Sequence, residues 1–156
     1  MVTDKKSKHI TATPTIDAAI YGSGDRLGSI ITLTDAVDSS SDGAVLKTLI
    51  IVDSAVQSLG IDVLFFNALP TIGSADNAAL SLTDAEMASK FIGRVVVVAA
   101  DYTALALNSV AVKNQIEALM IPALGSRDLY CVLQARGTPT YGATTALTVK
   151  FLFEQY

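Results

Sequence analysis

The chain has one cysteine, one histidine and no tryptophan in 156 residues. A lone Cys131 excludes an internal disulfide, and it lies in an apolar strand pattern that suits an inert core thiol. Structural zinc takes four protein ligands and catalytic zinc three, so one Cys and one His do not supply a site. A Ser-His-Asp triad would have to use His9, close to the N-terminus. The missing tryptophan removes the usual platform for a sugar ring. Charge is scarce as well: 17% of residues are charged, against about a quarter in an average soluble domain. No apolar run reaches the roughly 18 residues of a membrane helix. The N-terminus is polar and lacks the apolar core of a secretory signal, so we expect synthesis in the cytoplasm and a soluble state until assembly.

What charge remains is unevenly placed. Between Gly43 and Ala75 the only charged residues are Lys47, Asp53 and Asp62. A chain of this length forms one domain that still exposes much of its surface. So little charge therefore points to surface hidden against partners, and we expect a homo-oligomer or a protein that coats something larger. Net charge is −4, and no basic stripe interleaves with aromatics, so neither nucleic acid nor membrane is an expected partner. Lys5, Lys6 and Lys8 read as a solvated tail. The expected organisation is a flexible N-terminal arm over residues 1–9 and a single β-sandwich domain over residues 10–156.

The central stretch from Gly60 to Ala100 sets the architecture. Gly-Ile-Asp-Val-Leu-Phe-Phe-Asn and Gly-Arg-Val-Val-Val-Val-Ala-Ala are strand-length runs rich in Val, Ile and Phe. Their continuity predicts strands covered on both faces. Between them, Thr83 and Glu86 have the spacing of a capping box, and Leu82 and Met87 that of a hydrophobic staple. Asp84 adds negative charge at the positive end of the helix dipole. Gly93 is the expected stop, in a left-handed conformation. The prediction is a helix over Asp84 to Ile92, inserted as a crossover in a mostly β domain.

Elsewhere, period-two alternation predicts strands over Ile10–Ile16, from Ser29 through Thr34, and over Val45–Ser54, Asn108–Lys113, Asp128–Ala135 and Thr145–Glu154. Gln115–Ile121 is ambiguous, because Ile116, Leu119 and Met120 fit a helical face but Pro122 follows. Tyr21–Gly28 has glycines at 22, 24 and 28. That spacing is one residue too long for a dinucleotide fingerprint, and a strand pattern follows it, so it reads as a turn. Asp35, Asp38 and Asp42 lack EF-hand spacing and read as a hairpin loop. About eight strands without βα alternation predict a mostly β fold. The expected form is a two-sheet antiparallel sandwich, jelly-roll-like, with one short inserted helix; a partly closed barrel is the alternative.

No catalytic, cofactor-binding or metal-binding residue is nominated, and the expectation is a protein that is not an enzyme and needs no cofactor. One resemblance is informative. Tyr21-Gly-Ser-Gly-Asp25-Arg-Leu-Gly28, Asp62-Val-Leu-Phe-Phe66 with Pro70-Thr71, Ser74-Ala-Asp76-Asn77-Ala-Ala79-Leu-Ser-Leu-Thr-Asp84 with Gly93, and Leu129-Tyr130-Cys-Val-Leu-Gln-Ala-Arg-Gly137-Thr138-Pro-Thr140-Tyr141 occur in this order. Over these segments the chain resembles a family of small tailed-bacteriophage virion proteins. The resemblance implies a non-enzymatic capsid cement or decoration protein, a homo-oligomer (as a trimer) seated on the major capsid protein in the virion. The competing expectations are a neck or tail component, which would assemble head to tail into rings or tubes, and a carbohydrate-binding module.

Overall fold

Alternating side chains build two antiparallel sheets that share one core. In the computed structural model, residues 5–40 and 42–156 are described. The strands are β1 (Lys6–Ala12), β2 (Arg26–Leu33), β3 (Ala44–Asp53), β4 (Gly60–Phe66), β5 (Phe91–Val97), β6 (Tyr102–Ala104), β7 (Ser109–Lys113), β8 (Ala118–Met120), β9 (Leu129–Arg136) and β10 (Leu147–Gln155). Helix α1 spans Asp84–Lys90, and a 3-10 turn occupies Ala99–Asp101.

The six-stranded sheet runs β1-β10-β3-β7-β6, with β8 also paired to β3; the four-stranded sheet runs β2-β9-β4-β5. The pairing is nested. The first strand pairs with the last, β2 with β9, β3 with β7, and β4 with β5. Such wrapping of one long antiparallel ribbon into two facing sheets is the jelly roll. The expected sandwich is therefore present, with ten strands among the described residues because two short ones join the main eight.

The core lies between the sheets. Leu46, Leu49 and Ile51 of β3 and Val149, Phe151 and Phe153 of β10 meet Ile61, Val63 and Phe65 of β4 and Cys131 and Leu133 of β9. Phe65 and Phe151 join the layers edge to face, with centroids 6.0 Å apart. Such a pair adds roughly 0.5–1.5 kcal/mol beyond its buried area.

β4 is buried along its whole length, as its continuous run predicts. Its inner face enters the core. On its outer face, Leu64 and Phe66 join Val132 beneath Ile72, Leu80, Leu82, Met87 and Phe91. The segment between β4 and β5 thus folds back over one half of the four-stranded sheet. Leu82 and Met87, the staple pair, both pack into this outer cluster.

Several expectations require correction. Lys6 to His9 are not an arm: they form the start of β1, paired with Phe153 to Gln155, Leu152 completing the register. Pairing satisfies the backbone groups that face β10, while Lys6 reaches Asp38. Residues 1–4 of that expected arm lie outside the described residues. The helix ends at Lys90, and Gly93 does not stop it. Phe91 is already extended, with φ −68° and ψ 129°, because its ring packs edge to face on Phe66 at 5.8 Å. Gly93 pairs with Phe65 inside β5. Thr83 does cap the helix, accepting from the Glu86 amide at 3.2 Å. Glu86 does not return the bond; it accepts from the Thr71 amide and from Lys90. Because β4 and β5 are antiparallel neighbours, the helix belongs to a long hairpin insertion rather than to a crossover. β5 is also an edge strand, with Arg94 and Val96 exposed, so its run is covered on one face only. Finally, Gln115 and Glu117 take left-handed conformations, φ 56° and 52°. That bulge, with the Ile116 amide donating to Lys47 O, returns the chain to β3 as strand β8 instead of a helix.

Candidate interaction surface

The buried aspartates and Tyr21 are engaged in holding turns and sheet faces. Asp53 ends β3 and is 1% exposed. Its carboxylate accepts from the amides of Ala55, Gln57 and Ser58 at 2.9, 2.8 and 3.0 Å. Asp62, on the outer face of β4, is 2% exposed. It accepts from Arg136 Nε at 2.8 Å and from Arg94 at 3.4 Å. That ion pair raises the already high basicity of Arg136 through its hydrogen bond to Asp62. Tyr21, buried against Tyr141, accepts from the Asp17 amide and donates to Asp76. Asp76 also accepts from the Gly28 amide at 2.7 Å. The glycine-rich segment is thus a pinned turn that leads into β2, as its spacing predicts.

The acidic loop is equally committed. Asp35 pairs with Arg127, Asp38 with Lys6, and Asp42 accepts from the Ser39 hydroxyl. His9 stands exposed on β1, opposite Leu152. Cys131 is buried, and burial pushes its thiol well above the ordinary range. Among the described residues, no three His, Cys, Asp or Glu side chains converge, no pocket forms, and no helix is long and apolar enough to cross a membrane. Tyr21 and Tyr141 are buried, and Tyr130 packs against the outer cluster, so none of these three rings offers a free face for a sugar.

What the surface does offer is aliphatic. Among the described residues, twelve large hydrophobic side chains are exposed, and eight of them fall between Val96 and Leu124. That segment runs from the end of β5 through β6, β7 and β8 into the following loop, along one edge of the sandwich. β5 of one sheet lies beside β8 of the other there. Leu107, in the β6–β7 turn, is 82% exposed, and Leu119 on β8 is 60% exposed. The apolar edge therefore wraps from the outer face of one sheet, at Val96, to the outer face of the other, at Val112. Sequence reading found β5 and β7 of this segment but neither β6 nor β8, and not their placement, because only the fold brings β5 beside β8. The signal available was low charge: from Val95 to Val112 the only charged residue is Asp101.

The two outer sheet faces also differ. The four-stranded sheet carries the β4–β5 insertion. The six-stranded sheet has no second apolar cluster over it among the described residues. Ile50, Val52, Val110 and Leu152 are half-buried there and Val112 is exposed.

Comparison with known proteins adds little. No family model and no curated protein matches the chain. A solved structure from desmodium yellow mottle tymovirus is similar at 8% identity, over 99% of this chain and 82% of that chain, with a TM-score of 0.29. The jelly-roll architecture rests on the nested strand order, and that likeness carries no argument.

Proposed function

We propose that the chain is a non-enzymatic structural protein of a tailed-phage virion: a capsid cement or decoration protein that forms a homotrimer and binds the major capsid shell. The observation that carries this reading is the division of labour among its side chains. Asp53, Asp62, Tyr21 and Asp76 are tied to backbone and to arginines, while aliphatic side chains stand exposed along one edge. A surface of that kind suits permanent assembly better than turnover of a small substrate. The ordered resemblance from Tyr21 onward supports the tailed-phage origin. A jelly roll is a fold that capsid and lectin domains both use, so the fold by itself does not choose the role.

The test has two arms. Light scattering across a dilution series gives the mass of the purified protein, and cosedimentation with tailed-phage shells that lack it measures capsid binding. A stable trimer that sediments with shells is the expected result. A ring of six or more subunits with no shell binding would move the protein to the neck or tail. Failure to bind shells in any oligomeric state would overturn the cement reading.

A further inference from the structure

We infer that the edge formed by β5, β6, β7 and β8 is the surface on which a second copy of this chain packs. The inference rests on the homo-oligomer part of the reading above and specifies where the contact lies.

The two sides of the sandwich handle their free edges in opposite ways. An exposed edge strand is a template for unwanted pairing, and soluble monomers blunt it with lysine, proline, bulges or short strands. The β1 and β2 side shows these devices. Lys5, Lys6 and Lys8 lie on or beside β1, and the β2–β9 register is broken between Leu27 and Ile31. On the other side β6 is blunted by its three-residue length, but β5 shows far less protection. Its run Val95-Val-Val-Val-Ala-Ala100 has no charge and no proline. Arg94, the one charge on β5, reaches across the outer face to Asp62 at 3.4 Å and stays half exposed. Asp101 is neutralised by Lys113 at 2.6 Å and accepts from the Val98 amide. The one irregularity in β5 pairing sits at its far end, opposite Phe65 and Phe66.

Size points the same way. The eight exposed aliphatic residues between Val96 and Leu124 present roughly 800 Å², which matches the area each partner contributes to a standard stable interface. The occupant is a second copy because the charges along the edge contact partners within the chain, Asp101 with Lys113 and Arg94 with Asp62, which leaves no cluster of one sign that would call for an oppositely charged partner. An uncharged aliphatic surface is complementary to another of its kind. An apolar edge of this size also needs cover from synthesis onward, when a second copy is the partner always at hand.

The experiment compares wild type with Leu107→Glu/Leu119→Glu, and with Ile20→Glu as a control. Ile20 is 63% exposed but lies outside the edge. Light scattering should show an oligomer for wild type and for the control. It should show a monomer for the double variant, with self-association weakened at least 100-fold and an unchanged circular dichroism spectrum. A double variant that keeps the wild-type mass would overturn the edge assignment while leaving the oligomer intact. A wild-type protein that stays monomeric at every concentration would overturn both. Should the double variant fold poorly, hydrogen exchange on wild type decides. Protection of amides 94–105 should rise with protein concentration, and concentration-independent exchange there would refute the contact.

Discussion

Replacing Asp53 with alanine tests how the two sheets are joined. The turn after β3 carries the chain from the six-stranded sheet to the four-stranded one. Within it, Val56 and Ser58 hold φ of 54° and 51°, a conformation that non-glycine residues adopt only under constraint. The constraint is one carboxylate, nearly inaccessible to water, that accepts three backbone amides. A hydrogen bond to a charged group contributes about 1.5–3 kcal/mol, and an orphaned donor costs a similar amount. The three bonds share one acceptor, and solvent can reach part of the opened turn, so the loss is less than their sum. We expect Asp53→Ala to cost about 3–4 kcal/mol, a large share of a typical total stability of about 5–15 kcal/mol. At roughly 2–4 °C per kcal/mol for a domain of this size, Tm should fall by about 6–16 °C. Asp53→Asn keeps the shape and one oxygen acceptor, and should cost about half as much. Urea unfolding gives both numbers, provided the slope stays constant. A loss under about 1 kcal/mol for alanine would show that the turn holds itself and that the carboxylate is incidental.

Two further perturbations separate backbone geometry from electrostatics. Gly28 has φ 75°, and a Cβ there would stand 2.7 Å from the Thr15 carbonyl oxygen, whereas nothing lies within 4 Å of a Cβ at Gly93. Gly28→Ala should therefore lose about 2–4 kcal/mol, and Gly93→Ala should gain up to about 1 kcal/mol through the unfolded state; a lower Tm for Gly93→Ala would contradict its placement within a strand. In acid, Asp38, Glu86 and Glu154 are held below the ordinary carboxylate range by hydrogen bonds from Lys6, Lys90 and Lys5. Asp101 is lowered too, its burial being outweighed by bonds from Lys113 and the Val98 amide. Folded values below unfolded ones mean that the unfolded chain takes up protons first, so the stabilisation is complete above the ordinary values of 3.8 and 4.5 and is lost as pH falls from them through the lower folded values. Melting scans should show Tm steady from pH 7 to about 5 and declining towards pH 3, less steeply in high salt. A flat profile down to pH 3 would remove these ion pairs from the account.

Much of the fold was legible because alternation is a local signal. β10 reads from Leu147, Val149, Phe151 and Phe153, and β9 from Leu129, Cys131, Leu133 and Ala135, all of which point into the core. The start of α1 was equally plain, since Thr83 caps through its immediate neighbours. The end of α1 was not, because the contact that extends Phe91 comes from Phe66, 25 positions away in sequence. The same holds for Lys6 to His9, whose partners lie at the other end of the chain. β8 was obscured by left-handed Gln115 and Glu117, residue types that carry no warning of that conformation. β6, at three residues, is too short to show a period. The apolar edge was foreshadowed only as a shortage of charge. Its location depends on which strands become neighbours, and no local pattern encodes that.

The pairing of β1 with β10 has a practical consequence for building with this protein. Lys6 sits opposite Gln155, and Lys5 reaches Glu154 and the Tyr156 hydroxyl. β1 is the outermost strand of its sheet, and β6 closes the far end of the same sheet. Residues 5 and 156 therefore emerge side by side, across the width of the sheet from the aliphatic edge. Labels placed on the Lys5 and Tyr156 side chains would leave the molecule from a single spot. In an assembly closed through the opposite edge, that spot faces outward on every subunit.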